Sequence, residues 1–165
     1  MTTNTNILAS DSVIDYLTAG RATVTILNVE TLGRHTYRIT APGKTAKERR
    51  AAEICFVSVL TGPENTSDYT YIGILIRRTG EFKLTAKSRF QMSDKRVAGF
   101  SWLCRHASRK SLYRFRHVEV RHHNHCGACN RLLTVPESVD TGLGPICAKA
   151  LKVKWVRNDE RTVAA

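Results

Sequence analysis

Along this chain, apolar positions alternate with polar ones over several short runs and shift to a three-to-four spacing in others. Ser10 can cap a short helix in which Val13, Ile14 and Leu17 share a face, ended by Ala19-Gly20. Val24 to Val29 reads as a strand, and His35 to Thr40 as its partner across a turn at Gly33, with Tyr37 and Ile39 on one face. Ile54 to Leu60 is a dense apolar run of strand length, Tyr69 to Ile76 a second, and Glu81 to Thr85 a short third, together an antiparallel meander. Ser93 can cap a helix from Asp94 to about Arg105, with Val97, Phe100, Trp102 and Leu103 toward the sheet. Leu112 to Val120 reads as a further strand, and Pro145 can open a short helix running to about Leu151. Residues 47–53 read either as a helical turn or as an irregular basic lead-in, and residues 1–7 as a frayed start.

These elements predict an α+β fold: a small antiparallel sheet with packed helices, followed by a C-terminal zinc-stabilised module. A boundary is expected near residue 117, dividing an α+β unit over 8–117 from a cysteine-bearing segment over 118–157. That segment is too short to hold itself together by apolar burial alone. The 165 residues suit one domain or two small ones. No stretch approaches eighteen consecutive apolar residues, and the polar start lacks the features of a secretion signal, so no membrane partner and a cytoplasmic location are expected.

Charge changes the picture more than length does. The chain carries 26 Lys+Arg against 14 Asp+Glu, a formal net charge of +12. Residues 1–76 hold seven basic and seven acidic side chains, whereas residues 77–121 alone hold thirteen basic and three acidic. Such a concentration attracts polyanions, of which nucleic acid is the commonest. Arg77, Arg78, Lys83, Lys87 and Arg89 gather around the turn between two strands, and Arg105, Arg109, Lys110, Arg114, Arg116 and Arg121 follow the helix. On one shared face they could track phosphates, with Tyr113 or Phe115 available for stacking.

The sharpest chemical signal is Cys126-Gly-Ala-Cys129 followed, after seventeen residues, by Cys147. A CxxC loop lets two thiolates approach one metal ion, and the Gly142-Leu-Gly144-Pro145 bend would bring back a third. Thiolates with an imidazole match Zn²⁺. His123 is the expected fourth ligand, in a His-x2-Cys-x2-Cys arrangement, with His125 and His122 as alternatives and His117 and the remote Cys104 behind them. A cytoplasmic chain with five cysteines disfavours a disulfide. Cys55 and Cys104 read as core. Glu119, Glu137 and Asp140 stand in no HExxH or HxE…PCxxC arrangement, which points away from catalysis. Pro42-Gly43-Lys44-Thr45 lacks the glycine spacing of a nucleotide loop. A basic C-terminal extension, with Leu151, Val153, Lys154, Trp155 and Arg157, would pack back on the body or be held by a partner.

The run from His123 through Cys126-Gly-Ala-Cys129-Asn-Arg131-Leu-Leu-Thr134-Val-Pro136-Glu-Ser138, with Gly142-Leu-Gly144-Pro145-Ile-Cys147, resembles a small cysteine-rich domain of unknown function. That domain is found in many bacteriophage, prophage and plasmid proteins. Leu60-Thr-Gly-Pro-Glu-Asn65, Asp68-Tyr-Thr-Tyr-Ile-Gly73, Lys87-Ser88 and Ala98-Gly-Phe-Ser-Trp102 extend the resemblance to about residues 54–148. It implies a zinc site with a histidine at the position of His123, a mobile-element origin and a bacterial host cell as the compartment; it brings no agreed activity. Two roles follow: a zinc-containing nucleic-acid-binding accessory or regulatory protein, or an inhibitor that docks on a host enzyme or defence complex.

Overall fold

A computed structural model describes residues 6–153, so Lys154, Trp155 and Arg157 lie outside the described residues. The chain is α+β. Six strands form one sheet: β1 (Arg21–Asn28), β2 (Arg34–Thr40), β3 (Ile54–Leu60), β4 (Tyr69–Ile76), β5 (Glu81–Leu84) and β6 (Val118–His122). Their spatial order is β5-β4-β3-β2-β1-β6, with every neighbouring pair antiparallel. The helices are α1 (Val13–Leu17), α2 (Ala46–Ala51), α3 (Lys95–Ser108), α4 (Pro136–Thr141) and α5 (Pro145–Ala150). None of the described helices is long and apolar enough to cross a membrane.

Alternation along each strand gives the sheet two unlike faces. The inner face carries Ala22, Val24, Tyr37, Ile39, Val57 and Val59, all buried, and packs beneath α1 and α3. The Phe100 ring of α3 lies 4.8 Å from the Tyr37 ring and 5.3 Å from that of Phe82 on β5. The opposite parity is half-buried or exposed and bears threonines, arginines and aromatic rings. A bulge at Val57/Ser58 places an extra residue, the buried Ile72, in β4.

Several boundaries differ from the expected ones, each for a local reason. β1 begins at Arg21, three residues early, because the Arg21 N–H donates to the Gly127 carbonyl (2.6 Å) and Arg21 pairs with Thr40. α3 runs on to Ser108, whose hydroxyl donates to the carbonyls of Cys104 (2.7 Å) and Gly80 (3.2 Å). The strand expected from Leu112 starts only at Val118; Leu112–Arg114 is a single 3₁₀ turn that buries Leu112. Trp102 is half-buried against the main core and also packs on His106 and Phe115, both at 4.8 Å. Residues 46–51 settle as helix α2 because Thr45 and Glu48 form a reciprocal capping box. β6 pairs with β1, so the sheet takes its edge strand from beyond the boundary expected near 117.

Candidate metal centre

β6 leads directly into a tight hairpin over 124–133. Asn124 and Asn130 adopt left-handed conformations at its two bends (φ 63° and 66°). The hairpin is closed by Leu133 N–H on the Asn124 carbonyl (2.8 Å), Cys126 N–H on the Arg131 carbonyl (2.7 Å) and Asn130 N–H on the Cys126 carbonyl (2.9 Å). Cys126 and Cys129 sit at its tip. α4 then starts on Pro136 and stops at Gly142 (φ 72°), and α5 starts on Pro145, which puts Cys147 in its first turn.

The sulfurs of Cys126, Cys129 and Cys147 lie within 4.8 Å of one another. A tetrahedral ion with metal–sulfur bonds of about 2.3 Å holds its sulfurs about 3.8 Å apart, so the thiol set fits one ion after a small contraction. The Cys126 sulfur also accepts from the N–H groups of Gly144 (3.4 Å) and Ala128 (3.5 Å). Burial opposes the Cys126 thiolate, but those N–H groups and the Cys129 N–H outweigh it and hold the thiol below its ordinary range. The Cys147 thiol is pushed up to about 12, first by burial and then by the charge at Cys126. One thiolate therefore forms readily and resists a second beside it, a balance that a bound cation reverses. Three close thiols can hold a metal ion.

The histidines are placed elsewhere. Period-two alternation at the end of β6 sends His122 to the inner face and His123 to the outer one. His122 is fully buried; its Nε2 lies 2.6 Å from the Val139 carbonyl, and its Nδ1 accepts from the Asn124 N–H at 2.9 Å. Both ring nitrogens are thereby committed, with the proton on Nε2. His123 is exposed on the sheet, its Nε2 3.0 Å from the Thr25 hydroxyl. His125 turns its Nδ1 to the His123 carbonyl (2.8 Å). Cys104 is buried in the main core, where burial raises its thiol strongly, and Cys55 is likewise buried and raised to about 11. Among the described residues, no histidine, aspartate or glutamate joins the three thiols.

The cysteine hairpin is fastened to the sheet through α1. A Cβ on Gly127 would stand 2.7 Å from the Tyr16 ring, and one on Gly142 would collide with the same ring. The Tyr16 hydroxyl donates to the Thr23 carbonyl (2.9 Å), so this ring joins α1, β1 and both glycine bends. Leu143, Leu133, Ala19, Ala148 and Cys126 make a second small core beneath the thiols, with Leu151 and Val153 half-buried against it.

The expected basic surface divides in the folded chain. Arg77 is turned inward: its guanidinium donates to the carbonyls of Thr18 (2.9 Å), Ala52 (2.9 Å), Arg49 and Arg50, where α1 and α2 end. Arg78, Lys87, Arg89 and Arg116 are exposed in turns. Arg105, Arg109, Lys110 and Arg114 are exposed around the end of α3. Lys83 and Arg121 stand on the outer face of the sheet, where Arg121 also pairs with Glu119 at 2.5 Å. Tyr113 is exposed, while Phe115 packs on Trp102 and His106. The sequence reading passed over Arg34, Thr36, Arg38 and Thr40, which alternate along β2 on that same outer face. Their period of two was the signal that could have found them.

A model of a family of unknown function (DUF6011) matches residues 116–152, which spans β6, the cysteine hairpin, α4 and α5. No curated protein and no solved structure matches the chain.

Proposed function

We propose that the protein is a zinc-containing nucleic-acid-binding accessory factor of a phage or other mobile element, in which the metal is structural. Zinc follows from the donor chemistry, since a compact set of thiolates selects it among the common divalent ions. The role of the metal is to close the hairpin, α4 and α5 into one body, because the small core beneath the thiols contains few large side chains. The resemblance of the cysteine segment to phage and plasmid proteins is the ground for the mobile-element role.

The observation that carries nucleic-acid binding is the surplus of exposed cations, on the outer face of the sheet and, most densely, around the end of α3. Protonation of His106 is disfavoured there by desolvation and then by the charges of Arg105, Arg109 and Arg114. A surface of that sign favours a phosphate backbone and reads little sequence.

Fluorescence anisotropy with labelled single- and double-stranded DNA and RNA tests the reading. With about four phosphate contacts, affinity should fall about 100-fold between about 50 and 200 mM salt. No binding to any strand at about 50 mM salt would overturn it, the more so if the chain instead retained one stoichiometric protein from a nuclease-treated host lysate.

A further inference from the structure

The outer face of the sheet carries chemistry that neither the metal nor the α3 cations use. Loop 61–68 folds over this face and is held there from below: the Arg38 guanidinium donates to the Thr66 carbonyl (3.1 Å) while lying 4.0 Å from the centre of the Tyr69 ring. Two hollows open between loop and sheet. One, of about 310 Å³, is lined by Thr25, Arg34, Thr36, Asn65, Arg121 and His123. The other, of about 300 Å³, is lined by Arg21, Thr23, Arg38, Asn65, His123 and His125. They share Asn65 and His123 and so adjoin, forming a cleft that reaches from β2 to the cysteine hairpin. Its floor is polar and ordered, with the Thr36 hydroxyl 2.7 Å from that of Thr25, which lies 3.0 Å from His123 Nε2.

The cleft is cationic although most of its arginines come from the half of the sequence whose charges cancel. Arg21, Arg34, Arg38 and Arg121 border it. Arg121 and Glu119 pair and neutralise each other, so Arg21, Arg34 and Arg38 supply the net charge; Asp68 accepts the Glu64 N–H at 2.8 Å. Away from the loop the same face turns aromatic. Strand register sets Phe56 beside Thr40 and Ile74, and Tyr71 beside Ser58. The Phe56 and Tyr71 rings are 6.4 Å apart, and Phe56 is 41% exposed. The face of the Tyr69 ring is already taken by Arg38, whereas Phe56 remains open. Lys83, opposite Ile74 on β5, adds a cation beyond the rings.

A cationic, hydroxyl-lined cleft on the same sheet face as the exposed Phe56 ring and the half-buried Tyr71 ring complements one class of ligand: a chain of phosphates carrying planar bases. The bases must be unstacked to lie on the rings, which excludes a duplex. Resting on the nucleic-acid reading above, we infer that the outer face of this sheet is the binding site for single-stranded nucleic acid. The strand backbone lies under loop 61–68 against Arg34, Arg121 and His123, and a base stacks on Phe56 next to Tyr71. The cations at the end of α3, on the other side of the sheet, are not the principal contact.

The test is anisotropy on the full metal-loaded chain with fluorescein-labelled oligodeoxythymidine of about 12 nucleotides, a length within the span of one such platform. Four variants are compared: Phe56→Ala, Phe56→Leu, Arg34→Ala and the double variant Arg105→Ala/Arg109→Ala. Phe56→Ala should weaken binding about ten-fold or more. Arg34→Ala should weaken it and reduce the salt slope by about 0.7. The helix double variant should change affinity less than about three-fold at about 150 mM salt, where distant charges are screened. Phe56→Leu keeps the apolar volume while deleting the ring, and should behave as Phe56→Ala does if stacking is the cause.

Wild-type binding that survives the sheet variants and is lost in the helix variant overturns this inference and leaves the nucleic-acid reading standing. So does competition in which unlabelled duplex displaces the strand more effectively than unlabelled oligodeoxythymidine. A wild-type chain that binds no strand overturns both.

Discussion

The sheet and the cysteine hairpin are held together by different physics, although the chain runs from one into the other without a break. The sheet closes around a continuous apolar cluster fed by all six strands, with Tyr37, Phe100, Ile72, Leu75 and Leu103 fully buried at its centre. The hairpin with α4 and α5 buries Leu143, Leu133, Ala148 and Cys126, joined by Ala19 from the turn after α1, which is too little apolar surface to order about thirty residues unaided. Docking on Tyr16 adds order, and on the proposed reading a zinc ion held by the three thiols supplies the rest. One part should therefore fold without metal, while the other depends on it.

The most severe break is removal of a thiol. Cys147→Ala takes away the thiol that, with zinc bound as proposed, would tie α5 to the hairpin, and in structural zinc sites the binding free energy is folding free energy, about 10–16 kcal/mol in isolated peptides. Native mass spectrometry should find one zinc on the wild-type chain and none on the variant. Hydrogen exchange should lose protection over residues 123–153 and keep it in β2, β3 and β4. Collapse of protection throughout the sheet would show that the two parts form a single cooperative unit.

A smaller break attacks the docking and spares the thiols. Gly142 occupies a left-handed conformation, φ 72°, and any Cβ there meets the Tyr16 ring. Gly142→Ala combines backbone strain of about 1–2 kcal/mol with overpacking of about 1–3 kcal/mol. The expected result is a loss of about 2–4 kcal/mol in the denaturant stability of the metal-loaded chain, with the metal still bound at saturating zinc. An unchanged midpoint would mean that the hairpin does not lean on α1.

How much of this could be read beforehand differs between the same two parts. The meander over β3, β4 and β5 was legible because Ile54–Leu60 and Tyr69–Ile76 are strand-length apolar runs punctuated by turn residues. The three cysteines were legible from spacing alone, since a CxxC and a glycine-flanked third cysteine state their geometry locally. The histidine was not. Where His122 and His123 point depends on which face of β6 is inward, which is set by pairing with β1, almost a hundred residues away, and neither joins the three thiols. The basic surface was legible only in part, for the same reason. Charge was counted along the chain, whereas Arg34, Arg38 and Arg121 meet only when β2, β1 and β6 lie side by side.

Arg77 gives that lesson a measurable form. It sits in the densest basic stretch, yet its guanidinium is spent on four carbonyls at the ends of α1 and α2. Arg77→Met keeps the aliphatic stem and strands those acceptors, which should cost about 1–3 kcal/mol of stability. Binding to single strands should stay within about two-fold of wild type at about 150 mM salt, where a single added or lost charge away from the site is largely screened. Weaker binding with unchanged stability would return Arg77 to the binding surface.

The subtlest effect concerns the histidine that joins the two parts. His122 is buried between β6 and α4, and burial lowers its tendency to take a proton; the charges of His123 and His125 act in the same direction. The Val139 carbonyl and Asp140 favour the proton but do not outweigh burial. Its folded pKa therefore lies below the ordinary value of 6.5, so the unfolded chain takes up the proton first as pH falls. The contribution of neutral His122 to stability is fully present above the unfolded value and is lost as pH drops from there through the folded one. Thiol protonation also weakens metal binding in acid, but it does so equally in a chain lacking this imidazole. Denaturant midpoints of wild type and His122→Gln, compared at about pH 7.5 and about pH 5.5, isolate the term: the wild type should lose more stability across the interval. Parallel losses would mean that His122 takes up its proton equally in the folded and unfolded chain, so that burial between β6 and α4 does not hold it neutral.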